Sequence, residues 1–463
     1  MYPASRPCRP FSHGGGPMSR ALTRRDLVVG GMLPMLALVA ACRRTVSSPE
    51  GRPAPEAPPV TLTYLNDLSG EGAQLERELF DRCTAENPKI TIEVVPNAQN
   101  QPSRVRVVVL HAAGTPADFF TSSRAAYADL MINSVIESLS PYVQRDKFDF
   151  ARMFLADHVD HITFLGKIWG WPITVSADAL AYNIDIFNAH GLPYPPLNPD
   201  DKSWTMEKFL DIARRLTRGV EQFGFGGTRN GFPLLADGTF FGQGPWDGKE
   251  RCLFDSPKWI QAEEYWVSLI WSWHVTPQPQ ERGSIMVPGK PIFFSGKIGM
   301  DVIFGLPPRD VEFRWALATL PYSGEGSNVS GRLGLHSFHM GQGKHKDRVW
   351  EVFRWFSRKD NAGSYPITWG HPVTPMLEAT EIAQDLYHRR YGVDPRAFSL
   401  QARHSKRSGW GIQNMVEWWN VEQDVRKLYD AMFANELSPA EYGARATPMV
   451  NEAIRKSLAQ LPK

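Results

Sequence analysis

The sequence predicts an α/β protein built as two lobes. Between residues 60 and 120, alternating apolar stretches and helical stripes follow one another in βαβαβ order. That order implies a mostly parallel sheet covered by helices. Strand-like and helix-like segments then keep alternating to residue 460. The chain has 463 residues, or 422 once a leader through Ala41 is set aside, which exceeds one ordinary core.

The leader comes first. Arg20, Arg24 and Arg25 give a basic start, and residues 27–41 are apolar and small. This is the order of an export signal, and the apolar run is shorter than the ~20 residues a spanning helix needs. Residues 23–27 (TRRDL) resemble a twin-arginine signal. Residues 39–42 (VAAC) resemble a bacterial lipobox, which implies that Cys42 receives lipid. Residues 1–41 therefore read as a signal peptide. Residues 1–17 add nothing to it, and Met18 is a candidate start. Residues 42–59 are polar and Pro-rich and read as a flexible tether.

The leader holds five arginines and one acid, so 46 basic and 48 acidic residues remain, a net of −2. Such balance argues against a nucleic-acid partner, which asks for a clustered basic surface. The cysteines are Cys8, Cys42, Cys83 and Cys252, and their spacing gives neither a disulfide framework nor a zinc site. Cys83 shares a helical face with Leu75, Leu79 and Phe80 and reads as a small core residue.

Each element has its own signal. Residues 60–65 and 90–95 alternate as strands. Between them lies the Leu75/Leu79/Phe80/Cys83 stripe, stopped by Asn87-Pro88. Val105, Val108, Val109 and Ala112 mark a second helix, and a Gly-Thr-Pro turn at 114–116 enters a short strand. A second block opens near Trp171-Pro172, with a strand at 179–183 and a helix carrying Phe209, Leu210 and Leu216. A longer helix spans 257–273, and strands follow after residue 297 and at 315–320. Val349, Val352, Phe353 and Phe356 mark another helix. Residues 411–460 read as helical, interrupted at Pro439 and Pro448.

At this level several segments, in order, resemble the family 1 extracellular solute-binding proteins of ATP-driven importers. They are residues 80–88 (FDRCTAENP), 114–118 (GTPAD), 166–172 (GKIWGWP) with 180–183 (LAYN), and 294–300 (FSGKIGM). The resemblance implies a type II periplasmic-binding-protein fold, two α/β lobes joined by crossover hinge strands. By analogy, lobe 1 takes 60–172 plus 332–366, and lobe 2 takes 173–331 plus 367–463. Crossovers are expected near 172–174, 332–335 and 365–369. The resemblance also implies a sugar-like solute and ABC permease subunits as partners, a membrane contact through the lipid anchor, a monomer, and no cofactor or metal.

Capture of a sugar needs flat apolar surfaces and directional hydrogen bonds. Trp246, Trp369 and Trp410 sit beside glycines in loop-like sequence, where binding groups concentrate. Trp171 enters the first expected crossover. Trp259, Trp266 and Trp273 recur every seven residues along one helix and read as core. The resemblance adds Asn66 and Asp67 after the first strand, Ser176 after Pro172, Asp301 and Phe304 after the 294–300 segment, and Arg332 at the second crossover. With the basic stretch at 388–407, Arg332 also admits a glycerol-phosphate-type solute.

Other signals are set aside. His158 and His161 have the i,i+3 spacing of a metal pair but lack the glutamate of a zinc protease, so a solvated helix face is expected. His336 and His339 would face opposite ways on a strand. Glu263 and Glu264 are adjacent in a helix, about 100° apart, and cannot flank one bond. The expected function is an extracytoplasmic, lipid-anchored receptor that closes on a carbohydrate and delivers it to an importer, without catalysis. The alternative is a secreted glycoside hydrolase or lyase.

Overall fold

The computed structural model describes residues 58–95, 103–122, 127–227, 241, 243–303, 307–322, 333–404 and 417–460. Cys42, Phe304, Arg332 and Trp410, with the signal peptide, lie outside them.

The first lobe grows from β1 (Val60–Leu65), which turns Leu62 and Tyr64 into the core. Helix α1 (Gly70–Glu86) lays Leu79, Phe80 and Cys83 on that face, and the Phe80 ring meets Tyr64 edge-on at 4.8 Å. Asn87 ends α1, donating from Nδ2 to the Cys83 carbonyl at 2.8 Å, and Pro88 follows. β2 (Ile90–Val95), helix α2 (Ser103–Ala112) and β3 (Phe119–Ser122) complete the expected βαβαβ unit. In α2 the buried face is not the predicted one. Val107 is buried, with Val108 and Leu110 packed beside it, whereas Val105 and Val109 face solvent. The run Val107-Val108-Val109-Leu110 offers apolar residues on every side, so periodicity could not choose a face.

The hairpin β4 (Thr163–Phe164) and β5 (Lys167–Ile168) leads into β6 (Trp171–Ala177), all of whose residues are buried. Among the described residues, five strands form the first sheet in the order β2-β1-β3-β11-β6, β11 being Leu333–Met340. β1 runs parallel to β2 and β3, but β11 is antiparallel to both β3 and β6. The β6–β11 register shifts at His336/Ser337, opposite Pro172 and Thr174. A proline has no N–H to give a ladder, so a bulge falls there.

The chain changes sheets at Asp178. β7 (Ala179–Asn183) begins the second sheet, ordered β10-β7-β9-β8, with β8 Phe223–Phe225, β9 Ile298–Ile303 and β10 Trp315–Ala318. Only the β8–β9 pair in it is parallel among the described residues. The expectation of mostly parallel pairing therefore holds for the first three strands and not beyond them. One core lies on the first sheet and two flank the second, and one of these two also takes in Val175 and Ala177 of β6 and Leu335 of β11. A further cluster forms where the helices Pro257–Trp271, Trp418–Phe433 and Pro439–Gln460 meet, around Trp259, Tyr429 and Tyr442. Pro448 does not interrupt the last helix. A mid-helix proline costs about 3 kcal/mol, and burial of Tyr442, Val450 and Ile454 offsets it.

Candidate functional site

The first strand ends in a polar knot. Asn66, one residue past β1, is buried and donates from Nδ2 to Glu76 Oε2 at 2.7 Å. Glu76 lies on the inner face of α1, fully buried. Its Oε1 accepts from Tyr64 Oη at 2.7 Å and also from Tyr365 Oη. Tyr64 Oη lies 3.1 Å from Thr121 Oγ1 on β3. Burial pushes the Glu76 carboxyl up to about 7, against the pull of its three donors, and the Asp67 charge adds to the rise. Both phenols are held well above their usual range, by burial first and by Glu76 second. The Asn66 carbonyl oxygen, Oδ1, is buried without a protein partner.

Tyr365 carries this knot to the passage between sheets. It precedes the 3-10 turn Pro366–Trp369, which closes on Gly370 at φ 71°. The turn lies against α1, and a Cβ added at Gly72 would come within 2.4 Å of the Thr368 carbonyl oxygen. Trp369 is half-buried, with its ring 4.1 Å from that of His336 on β11, and His371 stands 6.0 Å from His336. The Val373 carbonyl accepts from Val175 N at 3.2 Å and Thr174 Oγ1 at 3.4 Å, stitching this segment to β6. Ser176, opposite Gly334, is buried with no protein partner for its hydroxyl.

Asn66 and Trp369 are thus linked through Glu76 and Tyr365, and the 366–373 segment ties them to the end of β6 that carries Ser176. An aromatic ring, an unpaired carbonyl and an unpaired hydroxyl suit a ligand that presents C–H faces and hydroxyls. Asp67 adjoins this group. Trp171 does not join it. It is fully buried in the first core, edge-on to Phe148, Phe150, Phe154 and Trp350 at 5.4–5.7 Å. Trp246 pairs with Cys252 and packs on the C-terminal helical cluster. Asp301 lies within β9 rather than past its end, fully buried, its carboxylate against Gly226 and accepting from Val302 N at 3.0 Å.

One further expectation is corrected. His158 and His161 are buried, not solvated, because their helix packs on β6 and β11, and His158 Nε2 lies 3.4 Å from Ser337 Oγ. Among the described residues no group of His, Cys, Asp or Glu is placed to hold a metal. In the basic stretch, Arg389, Arg390 and Arg396 pair with Asp385, Glu71 and Asp394. Sequence reasoning missed Glu76 and His371, set His336 aside, and placed Tyr365 only at the edge of an expected crossover. Glu76 had a signal: a carboxylate three residues before Leu79 and four before Phe80 sits on an apolar face, where an acid needs partners.

Among the described residues, a pair of salt bridges reaches from α1 to the second lobe. Glu71, at the start of α1, pairs with Arg309 and Arg390. Arg309 lies between β9 and β10, and Arg390 ends the helix Thr380–Tyr391, whose Tyr387 belongs to the second core.

The family model described as bacterial extracellular solute-binding protein matches residues 66–362. A putative binding protein of Brucella abortus (strain 2308) is 25% identical over 321 residues, covering 66% of this chain and 73% of its own length. Among solved structures, an ABC substrate-binding protein from Listeria monocytogenes in complex with cycloalternan superposes with a TM-score of 0.68 at 18% identity, covering 86% of this chain and 99% of that one. The sugar-binding protein MalE of Xanthomonas citri gives a TM-score of 0.69 at 16% identity, covering 87% and 100%.

Proposed function

The chain belongs to the bacterial extracellular solute-binding protein family, and from that premise we propose that it captures a carbohydrate between its lobes and hands it to an ABC importer. The observation that carries this reading is the assembly of Asn66 Oδ1, Ser176 Oγ and the Trp369 ring around one end of the first sheet. In open α/β sheets, ligands bind outside the carboxyl ends of the strands. β1 ends at Leu65, one residue before Asn66, and β6 ends at Ala177, one residue after Ser176. The relatives with bound cycloalternan, mannobiose and maltose support a saccharide.

The lobes in this proposal follow the sheets, with the first crossover at Asp178. Closure is driven by the ligand's greater affinity for the closed form. The lipobox-like residues 39–42 support anchoring through Cys42 outside the cytoplasm, with residues 43–59 as tether. Permease subunits are the partners of the loaded form. A neutral saccharide is preferred to a glycerol phosphate, because the arginines described at 389, 390 and 396 already face carboxylates.

Calorimetric titration with maltose, mannobiose, larger oligosaccharides and glycerol phosphate tests this. One-to-one binding of a saccharide without product formation is expected. Silence across every sugar rejects the proposal, and turnover of a bound oligosaccharide would favour a carbohydrate-active enzyme.

A further inference from the structure

Asn66 has one free hydrogen-bonding end, and its neighbour decides which end that is. An ionised carboxylate only accepts, so the Asn66 amide must turn Nδ2 toward Glu76 Oε2, leaving Oδ1 without a partner. We propose that Glu76 is a positioning residue that fixes the Asn66 amide so that its oxygen accepts a hydrogen bond from the bound solute. The inference rests on the binding reading above and deepens it.

The geometry gives Glu76 a second state. Tyr64 and Tyr365 both donate to Oε1, so an added proton goes to Oε2, the oxygen facing Asn66. Oε2 then becomes a donor. The amide must reverse to offer Oδ1 to it, and Nδ2 turns toward the ligand. The polarity presented to the solute inverts. The groups facing Glu76 are Tyr64 from β1, Asn66 and Asp67 from the loop, and Tyr365 from the turn. Burial is the largest influence and holds the proton on up to about pH 7. The accepting orientation therefore prevails above that pH and is lost as pH falls through it.

Selective 15N labelling of asparagine side chains in the full chain reads the amide directly, without ligand. In the wild type, the Asn66 amide signals are expected to shift with a midpoint near pH 7. In Glu76→Gln they are expected to stay in the low-pH position throughout, because the Gln amide donates to Asn66 at every pH. Maltose and mannobiose titrations at pH 5.5 and 8.5 give the second reading. Loss of one well-placed hydrogen bond lowers affinity about tenfold, so wild-type affinity should fall about tenfold at the lower pH. Glu76→Gln and Asn66→Ala should bind weakly and equally at both. Should Glu76→Gln not fold, Asn66→Ala alone must abolish the pH dependence. An Asn66 amide that does not titrate, or a Glu76→Gln protein with the wild-type profile, overturns the proposal. Silence of both sugars with the amide titration intact contradicts the carbohydrate reading while supporting the Glu76–Asn66 coupling.

Discussion

Tryptophan at 171 and at 369 shows how one residue type serves two ends. Trp171 opens β6, an apolar strand buried on both faces, so its ring completes a core of edge-to-face aromatics. Trp369 closes a 3-10 turn that leaves it half-buried, with its ring against His336. Replacing a buried Trp by Ala costs about 3–5 kcal/mol. Trp171→Ala should lose stability of that order in urea unfolding while the surviving folded protein keeps its saccharide affinity. Neighbouring letters do not separate the two residues, since both stand beside glycine or proline. What separates them is which backbone lies across from each, and that is set by distant pairing. Asn66 entered through the family resemblance, and the structure places it one residue past β1. Glu76 was legible only as an oddity, a charge on an apolar stripe whose partners come from residues 64, 66 and 365.

At the scale of elements, local pattern located most strands and helices, because period two and period 3.6 are imposed by burial on one face. Orientation and pairing were less legible. The Val-rich α2 turned a different face inward, and β11 runs antiparallel into the first sheet because its chain arrives from the other lobe. Close approaches between elements set the site. α1 meets the Pro366–Trp369 turn at Gly72, where a Cβ would stand 2.4 Å from a backbone oxygen. Gly72→Ala should push the turn and Trp369 away, lowering both the melting temperature and saccharide affinity. Gly283, with nothing within 4 Å of its added Cβ, is the control. Its alanine variant should change stability by less than about 1 kcal/mol and leave binding unaltered, as thermal melts and calorimetry would record.

At the scale of the molecule, the two sheets carry largely different cores that meet only where the ends of β6 and β11 enter the second one, so relative motion falls to those crossover strands. A ligand that bridges them shifts the balance only by binding one arrangement better. The ion pairs of Glu71 with Arg309 and Arg390 act in the same direction, holding the start of α1 to the second lobe. Half-exposed pairs of this kind contribute modestly, so Glu71→Gln should bias the molecule toward opening without preventing closure by ligand. The direct measurement is a pulsed electron-spin distance between labels on exposed Asp81 of α1 and exposed Lys208 in the helix Met206–Leu216, one site on each lobe. A saccharide is expected to shorten and narrow this distance distribution, and Glu71→Gln to start from a longer one. A distribution unchanged by every saccharide bound would contradict two lobes closing on their cargo.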